Sequence, residues 1–219
     1  MRYPVNEIFE TIQGEATHTG TPSIFIRLQG CPVGCAWCDT KHTWHMTGEV
    51  EYQSDMVLAK DTDTDTHTWM LAHNILTYIK RYKSKHVVIT GGEPAMYNLV
   101  SLTGKLIYDG YTVQIETSGT YDIKAHKKTW ITVSPKYNMA GGLKVLDASI
   151  QRADEIKMPV GKQADLNLIE EMIRPITKTT VWLQPLSQSE KATDLCIKAC
   201  QGGNGYKLSV QTHKYINVR

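Results

Sequence analysis

Residues 30–40 read GCPVGCAWCDT and set Cys31, Cys35 and Cys38 in a C-x3-C-x2-C spacing, within a chain of 219 residues that has five cysteines. Thiols this close are ligands or redox groups, and four chemistries compete for them. A structural zinc takes four ligands, usually from two knuckles well apart in sequence, and no second CxxC or CxxH occurs here. A redox dithiol would use CAWC and leave Cys31 idle. Buried inert thiols are common, yet a loop containing Gly30, Pro32 and Gly34 cannot hide three of them in a core. An iron–sulfur cluster is held by closely spaced loop thiolates, and three from one loop cap three irons of a cubane, leaving the fourth for an outside chelator. Cys196 and Cys200, four apart in SEKATDLCIKACQ, share a helix face and read as core packing unless one reaches that fourth iron.

Other reactive side chains sit at the ends of apolar segments. GGEP (91–94) follows HVVIT and by itself reads as a turn after a strand. In SIFIRLQ (23–29) side chains alternate, so Ile24, Ile26 and Leu28 share one face and Phe25, Arg27 and Gln29 the other. An arginine there is costly unless it meets an anion: a ligand carboxylate held by the guanidinium fork, or a structural partner such as Glu15 or Glu116. Glu116 closes TVQIE (112–116), where it either serves a ligand or pairs with Arg27. Thr40, after Asp39, reads as a turn cap. His42 and His45 read as surface groups.

These groups need a frame. The segments 23–29, 86–90, 112–116, 130–133, 180–184 and 206–210 are β-branched runs that predict strands. Helical spacing falls at TWMLAHNILTYIKR (68–81), with Trp69, Leu71, Ile75, Leu76 and Ile79 on one face, and at DLNLIEEMIR (165–174). Alternating elements predict parallel βαβ units, whose strand ends gather at one face. Polar or turn-forming residues follow every strand: GCPVGC, GGEP, TSGT, SPK, QPLS and THK. A full eightfold barrel takes about 250 residues, so one domain over residues 1–219 predicts a shortened or open barrel. Residues 47–68 lack periodicity and predict a surface insertion, mobile at DTDTDT. KRYKSK (80–85) reads as a solvated helix end.

Composition narrows the partners. The net charge of +2 is too mild for a nucleic-acid groove. MRYPVNEIFE lacks a long apolar run, and nothing approaches the about 20 apolar residues of a membrane span. The expectation is a cytoplasmic protein with reduced thiols and neither nucleic acid nor membrane as partner.

C-x3-C-x2-C with an aromatic residue, Trp37, before its last cysteine, followed by GGEP after a strand, resembles the radical S-adenosylmethionine superfamily. The likeness extends over nearly the whole chain to the 7-carboxy-7-deazaguanine synthase family, through NEIFETIQGE, IFIRLQGCPVGCAWCDTKHTW, HVVITGGEP, QIETSGT, VSPK, LQPLS and QTHKY. This resemblance implies a partial (β6/α3) barrel that uses a [4Fe–4S] cluster, S-adenosylmethionine and Mg2+. It implies a lyase that contracts the ring of 6-carboxy-5,6,7,8-tetrahydropterin to 7-carboxy-7-deazaguanine with loss of ammonia, in queuosine biosynthesis. It also implies a homodimer and an electron donor such as flavodoxin or ferredoxin.

Residue roles follow from the same resemblance. Cys31, Cys35 and Cys38 would hold the cluster. Trp37, Cys38, Asp39, Gly92, Glu93, Ser134, Pro135, Lys136, Gln184, Pro185, Leu186 and Ser187 would border S-adenosylmethionine. Ile12, Gln13, Gly14, Glu15, Arg27, Thr90, His213 and the terminal Arg219 would meet substrate, with Glu116 handling the ring or a proton. Thr40 would bind Mg2+, which keeps waters and accepts substrate oxygens, so one protein ligand can suffice. Ala16 departs from a glycine frequent in the family. The competing classes are another small radical enzyme, activase-like, and a non-enzymatic metal-binding interaction module.

Overall fold

Two-residue alternation along the strands decides which side of the sheet becomes core. The computed structural model describes residues 1–50, 57–60 and 62–218. Among these residues ten strands form one sheet: β1 (Arg2–Ile12), β2 (Pro22–Leu28), β3 (Gly48–Glu49), β4 (Thr66–Leu71), β5 (His86–Gly91), β6 (Thr112–Thr117), β7 (Trp130–Val133), β8 (Glu155–Val160), β9 (Thr180–Pro185) and β10 (Lys207–Leu208). Their order is β10-β9-β8-β7-β6-β5-β2-β1-β4-β3. The run β2, β5, β6, β7, β8, β9 is parallel throughout, in sequence order. β1 lies antiparallel between β2 and β4. Helices α1 (Ala72–Ile79), α2 (Val100–Tyr108), α3 (Asp147–Arg152), α4 (Gln163–Leu168) and α5 (Glu190–Gln201) accompany the parallel run, and a short α6 (Thr212–Tyr215) ends it.

One face of the parallel strands carries Ile24, Ile26, Val87, Ile89, Val113, Ile115, Ile131, Val133, Ile156, Met158, Val181 and Leu183, all buried. They form the core with Ile75 and Ile79 of α1, Leu102 and Leu106 of α2, Ile150 of α3, Leu166 of α4 and Cys196 of α5. The other face carries Arg27, Thr90, Gln114, Glu116, Thr132, Glu155, Lys157 and Gln184. The hydrophobic layer is therefore outside, between sheet and helices, and the hollow side carries the charged and amide groups, together with Phe25 and Val88. Among the described residues the sheet does not close on itself, with β10 and β3 at its two ends, an unclosed, partial barrel as expected. Core packing of Cys196, fully buried, and of Cys200 against the same cluster also follows the sequence reading.

Several expectations need correction. The helix expected over 68–81 is a strand to Leu71 and a helix only from Ala72, because Arg2 to Val5 of β1 pair with residues 68–71 and tertiary pairing overrides a short helical period. Strands β1 and β8 were not among the strands expected from the sequence. The helix expected at 165–174 starts at Gln163 and passes into a π turn at Ile169–Ile173. Within 47–68, residues 51–56 and 61 lie outside the described residues. The rest is anchored: Val57 and Leu58 are buried, Lys60 Nζ donates to the carbonyls of Thr64 (3.0 Å) and Thr66 (2.6 Å), and Asn6 Nδ2 donates to Thr64 (2.9 Å). His45 is exposed, but His42 is largely buried, with its Nδ1 3.8 Å from Asp63.

Candidate active site

The loop leaving β2 carries the three free thiols, which line one wall of a cavity of about 310 Å³ at the C-terminal ends of the parallel strands. The loop is held by backbone: Gly30 N donates to Thr43 O (2.7 Å), Cys31 N to Trp44 O (3.0 Å) and Gly141 N to Val33 O (3.0 Å). GGEP seats directly on it. Glu93 N donates to Gly30 O (2.8 Å), and a Cβ on residue 92 would be driven into that same carbonyl. Gly92 is thus required by the close approach of two backbones.

The thiols fit an iron–sulfur cluster. Cys38 Sγ accepts from Trp44 Nε1 (3.4 Å) and Thr40 N (3.4 Å), donors of the kind that stabilise a metal-bound thiolate. Burial pushes the Cys31 thiol up to about 11 and raises Cys35, a penalty that cationic iron removes when it binds thiolate. Among the described residues no three His, Cys, Asp or Glu side chains close on one point, as a structural zinc ion requires. A cubane, with its irons at separate corners, makes no such demand.

Glu93 faces the cavity but is 1% exposed, and each carboxylate oxygen is occupied. Oε1 accepts from Ala95 N (2.9 Å) and Thr117 Oγ1 (2.5 Å), and Oε2 accepts from Ser118 N (2.8 Å) and Ser118 Oγ. The side chain therefore ties the end of β5 to the turn after β6. Thr40 does cap the turn Lys41–Thr43, through its carbonyl, which accepts from Thr43 N (2.9 Å) and Thr43 Oγ1 (2.8 Å). Its hydroxyl makes no cap bond and lies at the cavity wall, 3.6 Å from Cys38 Sγ. Lys136 is half-buried, its Nζ donating to Ser134 Oγ (2.5 Å) and O (3.1 Å). Desolvation lowers its pKa, against a raising effect from Cys35.

The opposite wall is built from charge. Lys157 on β8 donates to Glu15 Oε2 and, at 2.7 Å, to Glu116 Oε2. Glu116 Oε1 accepts from Gln13 Nε2 (2.9 Å), and Glu15 Oε1 from Gln211 Nε2 (2.9 Å) and Gln184 Nε2 (3.4 Å). Burial alone would raise the Glu15 pKa, but Lys157 outweighs it and carries the carboxyl down to about 2. Burial would lower the Lys157 pKa, but Glu116 and Glu15 raise it. Arg27 pairs with neither Glu15 nor Glu116, as the sequence suggested, but with Glu7, its register partner on β1, through Nε at 2.5 Å. Its terminal nitrogens have no hydrogen-bond partner among the described residues, and its side chain borders the cavity beside Thr90.

The C-terminal segment closes this side. Thr212 N donates to Gly14 O (3.0 Å), and a Cβ on residue 14 would lie 2.8 Å from His213 N and closer still to its Nδ1. Lys214 Nζ reaches Asp39 Oδ1 at 3.2 Å and Gln211 Nε2 reaches Asp39 Oδ2 at 3.4 Å, so α6 bridges the carboxylate wall to the cysteine loop. Ala16 adopts a left-handed φ of 54°, a conformation that glycine takes without the Cβ penalty.

Of the residues singled out from sequence, Ile12, Gln13, Glu15, Arg27, Cys31, Cys35, Trp37, Cys38, Asp39, Thr40, Thr90, Gly92, Glu93, Glu116, Ser134, Lys136, Gln184 to Ser187 and His213 all line the cavity. Gly14 stands just behind it. Pro135 lines a neighbouring cavity of about 760 Å³ that shares Trp37, Pro159 and Leu186. Arg219 lies outside the described residues. Sequence reasoning missed Lys157, Gln211, Lys214, Trp44 and Glu7. For Lys157 a signal existed, because in EIKMPV Glu155, Lys157 and Pro159 alternate with Ile156, Met158 and Val160.

An unclosed parallel barrel with three loop thiols and GGEP at its open strand ends defines a class. Residues 25–177 match the family described as the Radical SAM superfamily, and the chain belongs to it. At 48% identity over 223 residues, covering 100% of both chains, it is similar to the 7-carboxy-7-deazaguanine synthase of Escherichia coli (strain K12). It is likewise 48% identical over 224 residues, with complete coverage, to the same-named protein of Buchnera aphidicola subsp. Schizaphis graminum. The solved structure titled "Crystal structure of QueE from Escherichia coli" matches with a TM-score of 0.91 over 97% of this chain and 95% of that one. Within the superfamily the chain is therefore a member of the 7-carboxy-7-deazaguanine synthase family, and an enzyme. Membership implies a [4Fe–4S] cluster, S-adenosylmethionine, a small-molecule substrate and a source of electrons. Among the described residues no helix is long and apolar enough to cross a membrane.

Proposed function

We propose that the cavity converts 6-carboxy-5,6,7,8-tetrahydropterin to 7-carboxy-7-deazaguanine and ammonia with Mg2+ as a further cofactor. The observation that carries this reading is one cavity with a thiol wall, a carboxylate wall and an arginine between the strand ends. Substrate and product differ by ammonia alone, so the ring contraction needs no net oxidant. The bound cluster and S-adenosylmethionine supply radical chemistry, and the protein positions the reactants and excludes water.

Cys31, Cys35 and Cys38 hold the cluster, and Trp37, Asp39, Gly92, Ser134, Lys136 and Gln184 to Ser187 frame S-adenosylmethionine. The terminal nitrogens of Arg27 take the substrate carboxylate as a bidentate pair. Glu116, with Gln13, accepts the N–H donors of the pterin ring, and Thr90, Ile12, Gly14 and His213 complete the substrate contacts. The Thr40 hydroxyl, not spent on capping, contributes one oxygen to Mg2+. The enzyme works as a cytoplasmic homodimer, where thiols stay reduced, and takes electrons from a flavodoxin or ferredoxin.

The test is turnover by anaerobically reconstituted protein with S-adenosylmethionine, reductant and the carboxytetrahydropterin. A deazaguanine acid and ammonia should form, Cys35→Ala should abolish both together with 5′-deoxyadenosine, and Thr40→Ala should mainly weaken the Mg2+ response. Iron-free protein, or 5′-deoxyadenosine without the deazaguanine, would sink the reading.

A further inference from the structure

We propose that Lys157 is a positioning residue for substrate recognition: clamped between Glu15 and Glu116, it holds both as ionised, aligned acceptors for a heterocycle edge rich in N–H donors. This deepens the reading above and rests on it.

Lys157 is 5% exposed at its side chain, and Glu15 and Glu116 are 12% and 17% exposed. The three belong to strands or turns far apart in sequence, yet one ammonium bonds both carboxylates. Each carboxylate is fixed from its second oxygen as well, Glu116 by Gln13 and Glu15 by Gln211. Two carboxylates and one ammonium leave the trio with a net charge of −1 at the cavity wall. Such a wall repels the substrate carboxylate, which goes to Arg27 instead, and welcomes the amino and ring N–H groups of a 2-aminopyrimidinone. Without the ammonium, two buried like charges cannot both stay ionised near neutral pH, and one takes up a proton. A protonated carboxyl gives up part of its acceptor capacity.

Other charged groups face the trio and remain in every variant. They are Lys136 after β7 and His213 on α6, both coupled to Glu15 and Lys157, and His18 after β1, which feels Glu116 and Glu155. None of them bonds to Glu116 or Glu15 as Lys157 does.

The experiment measures binding of the carboxytetrahydropterin to anaerobic holoenzyme by equilibrium dialysis between pH 6 and pH 8.5. Wild type should bind with an affinity flat in pH. Lys157→Met should bind about tenfold or more weakly, weakening further as pH falls, as expected when a like-charged pair shares a proton. Lys157→Gln is a second neutral variant carrying the same prediction if the first does not fold. Lys157→Arg keeps the cation and should restore a flat profile. Neutral variants that lose affinity equally at all pH values, or a Lys157→Arg profile as steep as theirs, would overturn the inference while leaving the proposed function intact. Failure of wild type itself to bind would sink the substrate reading, and this inference with it.

Discussion

The two walls of the cavity are built by opposite means. The thiol wall is a stretch of local chain, Gly30 to Trp44, pinned by backbone hydrogen bonds, among them Glu93 N to Gly30 O, while the Glu93 carboxylate ties the end of β5 to the turn after β6. The carboxylate wall is a meeting of side chains from distant positions: Glu15 and Lys157 are 142 residues apart, and Glu15 and Gln211 are 196 apart. The difference teaches a division of labour. On the function proposed above, a cofactor common to a large superfamily would be met by fixed backbone and a short motif, and the particular substrate by charges that the fold must assemble.

If that division is right, charge should matter most on the carboxylate wall. Glu15 has a folded pKa of about 2 against an ordinary 4.5. Its folded value is depressed, so its stabilisation is complete above about pH 5 and is lost as pH falls through the folded pKa. The full difference corresponds to about 3 kcal/mol at 1.36 kcal/mol per pH unit, an upper figure because Lys157 is shared with Glu116. Unfolding free energies of wild type and Glu15→Gln should differ most near pH 6 and converge towards pH 2.5. A gap constant over that range would break the comparison. Next in size, Gly14→Ala pushes a methyl into His213 and should displace α6 from the carboxylate wall. We expect kcat/KM to fall about 100-fold, about 2.7 kcal/mol, with iron content unchanged, since small misplacements near reacting groups cost that much. A change under threefold would show that the docked tail is dispensable.

The same division explains what the sequence could reveal. Three cysteines in eight residues and GGEP after a strand are local, and the β-branched runs 86–90, 112–116 and 130–133 became β5, β6 and β7. The first strand was hidden because Pro4, Asn6, Glu7 and Glu10 are poor strand formers, and only pairing with β2 and β4 holds them extended. That omission cost the partner of Arg27, because Glu7 meets it only through the β1–β2 register. The polar alternation of EIKMPV likewise became meaningful only once the core was seen to lie on the outer face of the sheet. Ion pairs across more than a hundred residues leave no mark in a linear pattern.

The thiol wall offers the converse test, in which geometry outweighs charge. In Glu93, each oxygen faces one backbone N–H, Ala95 on one side and Ser118 on the other, plus one hydroxyl, Thr117 or Ser118. The hydroxyls can rotate to accept, but the amides cannot. Glu93→Gln therefore places its NH2 against a backbone N–H in either flip, and one buried donor loses its partner. Such a donor costs about 1–3 kcal/mol, so urea unfolding of variant and wild type in the same metal state should show a loss of about 2 kcal/mol at unchanged slope. The turn at 117–119 would loosen from β5, and the GGEP backbone would lose its brace against the cysteine loop. A loss below about 0.5 kcal/mol, within the ordinary range for surface substitutions, would mean that the donors find other acceptors and that Glu93 is free to face a ligand instead.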